Sequence, residues 1–484
     1  MNQQITRLFT VIVVLFGVPV VFTSRWTVFE ADSLESQEID GTQVNQRPLL
    51  EQQRIPRGII RAADGTRLAT NTKTGSGQTR VYKRRYPQGS VFAHGVGYSF
   101  IEAGDAGLER YYNDELAGKK DEFGSLLDQV LGERKEGQDL RTTLDPRGQK
   151  AALSALQGRN GSVVALEPST GKVLVMANVP SYDPNGVVAA QKRGKEQGSG
   201  RFNRATQARY PPGSTFKVVT AAAALDTGKY TPGSLVDGKN NKRISGVPLQ
   251  NSGGEDFPTI SLTEALTNSV NTVWAEVAVK LGPDTMYRYM RRFGFNQKPP
   301  IDLPGDELTA SGVYNSRGRL LDDEDPVDIG RVGIGQERLQ VTPLQMAMVA
   351  SAVANGGSLM KPHLADRFIR PDGRIASRYR QDEESQVMSA ATASQLTDMM
   401  GQVVKEGTGT QAALTGIDVA GKTGTAEVAN GTSNQAWFIA FAPKGDPKVA
   451  IAVTVERTQG QGGTVAAPIA KQVMQALIGE QASG

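Results

Sequence analysis

Apolar and polar positions along the chain first set apart a short hydrophobic run near the N-terminus. Residues 8–22 read LFTVIVVLFGVPVVF and carry no charge. A helix of that length spans roughly 22 Å, and extending it to Trp26 brings it close to the ~30 Å hydrocarbon core of a bilayer. The pattern predicts a membrane-spanning signal anchor over residues 8–26, behind a cytoplasmic tail of residues 1–7. A cleaved signal peptide is the alternative, although no small-residue cleavage site follows the run.

The chain after the anchor changes character twice. Residues 27–56 are mostly polar, rich in Gln, Glu and Ser, and without periodicity, which predicts a stalk or linker. Two apolar runs then flank the turn Asp64-Gly65 and predict a β-hairpin. The sequence predicts a smaller, β-rich extracytoplasmic domain over residues 57–150 and a larger domain over residues 151–484.

The larger segment alternates helical and strand patterns. A helix from Pro146 leads into it, and two apolar runs around a PSTG turn predict a second hairpin. The runs AWFIAFAP and KVAIAVTVE predict strands, and a closing helix is predicted near residues 468–477. The larger segment therefore mixes strands and helices.

Composition narrows the chemistry. The formal net charge is +4, and no long basic run or aromatic-basic interleaving occurs, so nucleic acid is not an expected partner. Cysteine is absent, which excludes disulfides, thiol catalysis and cysteine-bound zinc. The two histidines, His94 and His363, lie far apart in sequence. We therefore expect no metal site and no cofactor.

One serine stands at the predicted start of an apolar helix. In RYPPGSTFKVVTAAAALDTG a Pro-Pro-Gly turn precedes Ser214, and the helix is predicted to run to Asp226. Free backbone N–H groups at a helix start favour developing negative charge, and Lys217 shares a helix face with the serine. A serine becomes a nucleophile when a base lies beside it, and a lysine is such a base when burial or a positive neighbour lowers its pKa.

The Ser-x-x-Lys spacing also occurs twice elsewhere, at Ser169 and Ser358. Ser169 lies in the predicted hairpin turn and Ser358 in a Gly-Gly-Ser loop, so neither is predicted to open a helix. A lone match of this kind is usually an ordinary serine and lysine. Only the context of Ser214 therefore predicts a nucleophile.

A Ser-x-Asn motif follows the serine. Ser269 and Asn271 form the only such tripeptide in the chain, behind a helix that Ser261 and Glu264 are predicted to open as a capping box. Alone, this tripeptide is a weak signal, because two exposed polar residues between helices would look the same.

A Lys-Thr-Gly-Thr run comes last, at Lys422, Thr423, Gly424 and Thr425, just before the two strong strand patterns. We expect a strand at a sheet face, where Gly424 permits close approach of a ligand to the backbone. An earlier Lys-Thr-Gly, at residues 73–75, is predicted to be a loop.

The order Ser-x-x-Lys, Ser-x-Asn, Lys-Thr-Gly is the motif set of serine penicillin-recognising enzymes. Nearly the whole chain resembles class B penicillin-binding proteins, through RGIIRAADGTRLA, GLERYYNDEL, LRTTLD, NRATQARYPPGSTFK, VGIGQERLQVTPLQMA and AGKTGTAE. The opening MNQQITRLF is most similar to the actinobacterial PbpA-type branch. The resemblance implies an α+β fold. Its transpeptidase domain would be β-lactamase-like, with an antiparallel sheet flanked by helices and a helical subdomain.

The resemblance also implies roles for the first two motifs. Ser214 would attack the penultimate D-alanine carbonyl of a peptidoglycan stem pentapeptide, and Lys217 would take its proton. Ser269 would relay a proton to the leaving D-alanine. Asn271 would bind the stem amide and orient Lys217.

The third motif would bind the substrate terminus. By the same resemblance, Lys422, Thr423 and Thr425 would hold the terminal carboxylate beside Gly424, and the backbone N–H groups of Ser214 and Thr425 would form the oxyanion hole. An amine of a neighbouring stem peptide would then take the acyl group. A β-lactam antibiotic would imitate the D-Ala-D-Ala terminus and stall the enzyme at the acyl stage.

Location and partners follow from the resemblance as well. It implies a single-pass protein of the cell membrane whose catalytic domain lies on the extracytoplasmic side. The implied partners are peptidoglycan stem peptides, β-lactam antibiotics, the cytoplasmic membrane and a SEDS-type glycosyltransferase. The expected setting is wall synthesis in cell shape and division.

Two alternatives stay open. The first is hydrolysis, as a D,D-carboxypeptidase or serine β-lactamase, although no Glu-x-x-Leu-Asn element lies between the second and third motifs. The second is a non-enzymatic β-lactam sensor or wall-synthesis scaffold, although all three motifs are intact and only seven residues precede the anchor.

Three other segments are predicted to be structural. The glycine-bearing segment that starts at Val332 is predicted to pack rather than to border a cleft. Arg57-Gly58 and Gly107–Glu109 are predicted to hold the N-terminal domain rather than to catalyse.

Overall fold

The computed structural model describes residues 2–25, 38–39, 42–43, 53–76, 80–118, 136–194, 200–428 and 431–479. The chain divides into two units, one of residues 1–56 and 72–83 and the other of residues 57–71 and 84–484. Among the described residues, the α-helices are α1 (Asn2–Ser24), α2 (Ala93–Val96), α3 (Gly107–Tyr111), α4 (Asn113–Ala117), α5 (Pro146–Leu156), α6 (Val187–Lys192), α7 (Lys217–Asp226), α8 (Leu262–Thr267), α9 (Asn271–Leu281), α10 (Pro283–Arg292), α11 (Ile329–Val332), α12 (Pro343–Ala354), α13 (Ala390–Lys405) and α14 (Ala467–Ile478).

The described strands are β1 (Glu38–Ile39), β2 (Thr42–Gln43), β3 (Ile60–Arg61), β4 (Arg67–Thr74), β5 (Val81–Arg85), β6 (Tyr98–Phe100), β7 (Gly104–Ala106), β8 (Asp139–Thr142), β9 (Gly161–Leu166), β10 (Val173–Val179), β11 (Leu235–Gly238), β12 (Lys242–Ile244), β13 (Val247–Leu249), β14 (Phe257–Ser261), β15 (Gly312–Val313), β16 (Leu339–Gln340), β17 (Ser358–Met360), β18 (Ala365–Ile369), β19 (Ile375–Arg378), β20 (Glu383–Gln386), β21 (Ala420–Val428), β22 (Ser433–Ala442) and β23 (Val449–Thr458).

The first unit contains the N-terminal hydrophobic run, which forms α1. Its residues Gln3–Thr23 are long and apolar enough to cross a membrane, by length and composition. Pro19 lies inside this helix, as spanning helices tolerate. Most of the predicted stalk at 27–56 lies outside the described residues, apart from the short antiparallel pair β1–β2 and residues 53–56.

The loop prediction for the earlier Lys-Thr-Gly is wrong, because Lys73 and Thr74 complete β4. The strand reads RLATNTKT, and its recurring threonines are β-branched residues that favour extended backbone. Leu68 and Ala69 in its first half are buried, but the half from Thr70 is polar and more exposed, and so lacks the apolar alternation that predicts a strand.

The second unit is built on a five-stranded sheet in the order β10–β9–β23–β22–β21, with every neighbouring pair antiparallel. The second predicted hairpin is confirmed as β9–β10, the two predicted strands as β22 and β23, and the closing helix as α14. Successive residues of β9 face opposite sides: Val163 packs with α5 and α14, and Val164 packs with α12. Helices therefore cover both faces, which is why these strands are almost wholly buried.

The Lys-Thr-Gly-Thr run lies in β21, at the edge of this sheet, as predicted. β21 pairs with β22 in a regular register that sets Lys422 opposite Ile439 and Thr425 opposite Ala436. Trp437, the neighbour of Ala436, is fully buried. An edge strand has one side free of sheet pairing, and residues 423–427 of β21 line an open groove.

Helices α7 to α10 form the predicted helical subdomain. The capping box at α8 is confirmed: the Ser261 hydroxyl accepts from the Glu264 N–H, and the Glu264 carboxylate accepts from the Ser261 N–H. Between α8 and α9 the backbone of Ser269 takes a φ of +57°.

A second sheet joins segments that are far apart in sequence. The Asp64-Gly65 hairpin is confirmed as β3–β4, β8 lies parallel to β3, and β18 pairs with β8. Residue 150, the predicted boundary, lies inside α5. The division into domains at 57–150 and 151–484 stays a prediction.

Candidate active site

Ser214 lies in a tight turn that leads straight into α7. Residues Gly213–Phe216 form one 3₁₀ turn, so the predicted helix is present but its first turn is tighter than an α-helix. The indole N–H of Trp437 donates to the Pro211 carbonyl at 2.9 Å. The Gly213 N–H donates to the Gly335 carbonyl at 3.2 Å. The serine is therefore fixed from the sheet and from a distant loop.

Lys217 joins the first motif to the second. Its side chain is fully buried. Its Nζ donates to the Ser269 carbonyl at 2.7 Å, to the Ser269 Oγ at 3.2 Å and to the Asn271 Oδ1 at 2.7 Å. The three residues that the sequence singled out are therefore in direct contact.

Burial, and after it the charge of Lys422, holds the pKa of Lys217 well below its ordinary value. Each cause disfavours the ammonium form, because a buried charge loses water and a like charge repels it. A neutral amine keeps two N–H groups, enough for the Ser269 carbonyl and the Asn271 Oδ1, and its lone pair can then accept a proton. The site therefore supplies a base within one helical turn of Ser214.

The Ser-x-Asn segment is held in a strained form. A positive φ is uncommon for a serine, and such strain clusters at functional sites. Asn271 begins α9, and its Nδ2 donates to the Gln250 carbonyl at 3.0 Å. Ser269 and Asn271 thus present their oxygens to Lys217 from a fixed turn.

The third motif lines the other side of the site. Lys422 is fully buried, and its Nζ donates to the Thr423 carbonyl at 3.1 Å. Burial lowers the pKa of Lys422 to about 7. Thr423 Oγ1 lies 2.6 Å from Thr408 Oγ1, and Thr425 Oγ1 accepts from the Gly462 N–H at 3.1 Å.

The serine turn and β21 touch through glycines. A Cβ added to Gly424 would lie 2.7 Å from the Pro212 carbonyl oxygen and 3.1 Å from the Thr215 nitrogen. A Cβ on Gly213 would lie 2.7 Å from the Thr425 carbonyl oxygen. The backbone N–H groups of this turn and of β21 therefore lie close enough together to donate hydrogen bonds to the same small ligand group.

An open groove of about 1540 Å³ runs in front of Ser214. Ser269, Asn271, Thr423 and Thr425 line it, together with loops that the sequence did not single out. The packing prediction for the segment after Val332 is wrong for its residues 334–340, which line the groove. Sequence reasoning also missed Thr408 and Gln250, and only the glycines on both sides of Thr408 hint at a constrained position.

The two other Ser-x-x-Lys serines lie elsewhere. Ser169 is exposed in the β9–β10 turn, as predicted. Ser358 begins β17 instead of lying in a loop, and its hydroxyl donates to Glu383 at 2.7 Å. Within the described ranges, no group of three or more His, Cys, Asp or Glu side chains is arranged to hold a metal ion.

Comparison with known proteins covers both parts of the chain. The model described as penicillin binding protein transpeptidase domain matches residues 161–475, and the model described as penicillin binding protein A dimerisation domain matches residues 57–140. Peptidoglycan D,D-transpeptidase PbpA of Mycolicibacterium smegmatis is 36% identical over 508 aligned residues, which cover 99% of this chain and 100% of that protein. Stage V sporulation protein D of Bacillus subtilis is 32% identical, over 82% of this chain and 64% of its own length.

Solved structures resemble the chain over most of its length. Penicillin-binding protein A from M. tuberculosis, as a ceftriaxone acyl-enzyme complex, has a TM-score of 0.78 at 35% identity, over 89% of this chain and 100% of that one. The D,D-transpeptidase domain of a peptidoglycan glycosyltransferase from Eggerthella lenta has a TM-score of 0.77 at 32% identity, with the same two coverages. The first of these relatives therefore holds an acyl group on a structure of the same fold.

Proposed function

Because the chain belongs to the class B penicillin-binding proteins of the PbpA type, we propose that it is a peptidoglycan D,D-transpeptidase whose nucleophile is Ser214. The observation that carries this proposal is the buried, low-pKa Lys217 bonded to Ser269 and Asn271 at the foot of the serine turn. The full-length match to D,D-transpeptidases supports the reaction, and the three converging motifs support the site.

Acylation begins with attack by the Ser214 hydroxyl on the penultimate D-alanine carbonyl of a stem pentapeptide. Its proton passes to the Lys217 amine, and the new Oγ–C bond makes a tetrahedral oxyanion. The backbone N–H groups of Ser214 and Thr425 would donate to that oxyanion, and one such donor is worth about 3–4 kcal/mol. The contact of Gly424 with the serine turn supports this pairing.

Collapse of the intermediate breaks the peptide C–N bond and releases D-alanine. The leaving nitrogen needs a proton, and Ser269 lies between Lys217 and the groove to relay it. Asn271 orients Lys217 through its Oδ1. Lys422, Thr423 and Thr425 hold the terminal carboxylate in this proposal. Thr423 and Thr425 line the groove, and the buried Lys422 amine lies 3.4 Å from the Thr423 hydroxyl, which supports the assignment.

Transfer completes the cycle. An amine of a neighbouring stem peptide attacks the acyl-enzyme, its nitrogen loses a proton through Ser269 and Lys217, and Ser214 regains one. A β-lactam forms the same ester with Ser214 and stays there. Hydrolysis is the competing function, and it differs only in using water as acceptor.

Product analysis separates these functions. The full-length chain in detergent is given a pentapeptide donor with and without an acceptor amine, and products are identified by mass spectrometry. We expect an amide product and free D-alanine from wild type and from the control Ser169→Ala, and neither product from Ser214→Ala. A tetrapeptide acid alone, even with acceptor present, would instead identify a carboxypeptidase.

We also propose that α1 is an uncleaved anchor, with residues 57–150 and 151–484 as N-terminal and transpeptidase domains outside the cytoplasm. The apolar span Gln3–Thr23 supports the anchor. An alkaline phosphatase reporter fused after residue 484 should be active, because that enzyme needs an oxidising compartment. An inactive but stable fusion would contradict this orientation.

The family resemblance also implies a SEDS-type glycosyltransferase partner in the membrane, and we propose that α1, the apolar span Gln3–Thr23, is where the two proteins meet. Replacing α1 by an unrelated membrane helix should abolish co-purification of the two proteins. Co-purification that survives the replacement would contradict a contact through α1.

A further inference from the structure

A hydroxyl outside the three motifs contacts the Lys-Thr-Gly strand. Thr408 Oγ1 lies 2.6 Å from Thr423 Oγ1, and Lys422 Nζ lies 3.4 Å from the same Thr423 oxygen. Thr408 and Thr423 both line the groove in front of Ser214. The three polar groups therefore form a short chain of hydrogen bonds beside the proposed carboxylate site.

Thr408 is held in place by close backbone packing. A Cβ added to Gly407 would lie 2.4 Å from the Thr267 carbonyl oxygen, two residues before Ser269. A Cβ added to Gly463 would lie 2.4 Å from the carbonyl oxygen of Thr408 itself. The loop has no room to shift on either side, so the position of the Thr408 hydroxyl is set by the fold.

The hydrogen bonds at the Thr423 hydroxyl decide whether its proton is free to be donated to a ligand. A threonine hydroxyl donates one hydrogen bond and accepts two. When Thr408 and Lys422 both donate to Thr423, its acceptor positions are filled and its own proton is left for the groove. When Thr423 donates to Thr408 instead, it has no proton for a ligand oxygen.

We propose that Thr408 is a positioning residue for the substrate carboxylate. It donates to Thr423 Oγ1 and so turns the Thr423 proton toward the terminal carboxylate of a stem peptide or β-lactam. A carboxylate is an acceptor only, and it favours this arrangement over the reverse one. The inference rests on the proposed function, in which Thr423 holds that carboxylate.

Two substitutions at Thr408 separate its hydroxyl from its shape. Thr408→Val keeps the shape and removes the hydroxyl, whereas Thr408→Ser keeps the hydroxyl. Thr272→Val is the matched control, because the buried Thr272 hydroxyl has no hydrogen-bond partner in the described parts of the chain and Thr272 lies outside the groove lining. Full-length proteins in detergent are reacted with benzylpenicillin and with its methyl ester, whose carboxylate is blocked.

The second-order acylation rate constant is the measured quantity. Thr408→Val should lower the rate constant for acylation by benzylpenicillin about tenfold, the size expected for one hydrogen bond to a charged group. It should leave the rate constant for the methyl ester unchanged. Thr408→Ser should restore most of the benzylpenicillin rate. Thr272→Val should change neither rate.

Three results would overturn the inference. Thr408→Val could slow acylation by benzylpenicillin and by its methyl ester equally, or it could leave acylation by benzylpenicillin unchanged. Thr408→Ser could also be as slow as Thr408→Val. Peptide mapping of the acylated wild type is done in the same experiment. Wild type that carries no acyl group on Ser214 would overturn the proposed function together with the inference. Wild type acylated on Ser214, with Thr408→Val unaffected, would overturn the inference alone.

Discussion

Lys217 and Lys422 are two buried amines in one site, and burial acts on both. It lowers the pKa of Lys422 to about 7, while burial and the charge of Lys422 together hold the pKa of Lys217 well below its ordinary value. Burial and the charge of Lys422 therefore favour the neutral form of Lys217, and a pKa of about 7 leaves Lys422 partly protonated near neutral pH. This division matches the two proposed tasks, since the base needs a lone pair and the carboxylate holder needs a charge.

The acylation rate constant for benzylpenicillin should therefore depend on pH through both amines. It should rise as Lys217 loses its proton, and fall as the pH passes through about 7 and Lys422 loses the charge that holds the carboxylate. Lys422→Arg should remove the falling limb, because a guanidinium stays protonated. Stopped-flow acylation across the range checks this, and an identical falling limb in Lys422→Arg would contradict it.

At the scale of elements, the site is a junction of a turn, an edge strand and a loop. Gly335, with a φ of +79°, is so close that an added Cβ would lie 2.0 Å from the Gly213 carbonyl oxygen. The Gly335 carbonyl also accepts from the Gly213 N–H. The loop after α11 thus supports the turn that carries Ser214, more than a hundred residues earlier in the chain.

Gly335→Ala should slow acylation by β-lactams, because the added methyl group pushes the serine turn out of position. Gly318→Ala is its matched control, since Gly318 has the same φ of +79° with nothing within 4 Å of an added Cβ. Gly318→Ala should lose about 1–2 kcal/mol of stability from the left-handed backbone, and Gly335→Ala should lose more, because its methyl group also meets the Gly213 carbonyl. Only Gly335→Ala should lose acylation rate, and equal rates in the two variants would contradict this account.

The elements that sequence predicted well are those with local signals. The hairpin at Gly65 has a turn dipeptide between apolar runs, and the strand carrying Lys422 is followed by two long apolar strands. The φ of Ser269, the Thr408 hydroxyl and the loop at Gly335 gave no such signal. Each depends on contacts between distant segments, and a single sequence records no such contact.

At the scale of the second unit, one buried ion cluster ties the N-terminal segments together. Glu109 is fully buried and accepts from Arg57 Nε at 2.7 Å and Arg84 Nε at 2.6 Å. Burial alone would raise the pKa of this carboxyl, but Arg84 and Arg57 lower it more. The sequence prediction that Arg57 and Glu109 are structural agrees with this contact.

Glu109→Gln should destabilise the protein by about 3–5 kcal/mol, because it leaves two buried arginines without their counter-charge. Asp306→Asn is the control: it breaks an exposed pair with Arg110 and should cost under about 1 kcal/mol. Denaturant unfolding of the full-length proteins in detergent measures both. Similar losses in the two variants would contradict a stabilising role for the cluster.

The central claim is that Ser214 alone becomes acylated, and peptide mapping of the full-length chain after reaction with benzylpenicillin tests it most directly. The three Ser-x-x-Lys serines provide their own controls. We expect the added mass on the peptide containing Ser214 in wild type, Ser169→Ala and Ser358→Ala, and no added mass in Ser214→Ala. Persistent acylation of Ser214→Ala, or a label on another residue of the wild type, would contradict the account.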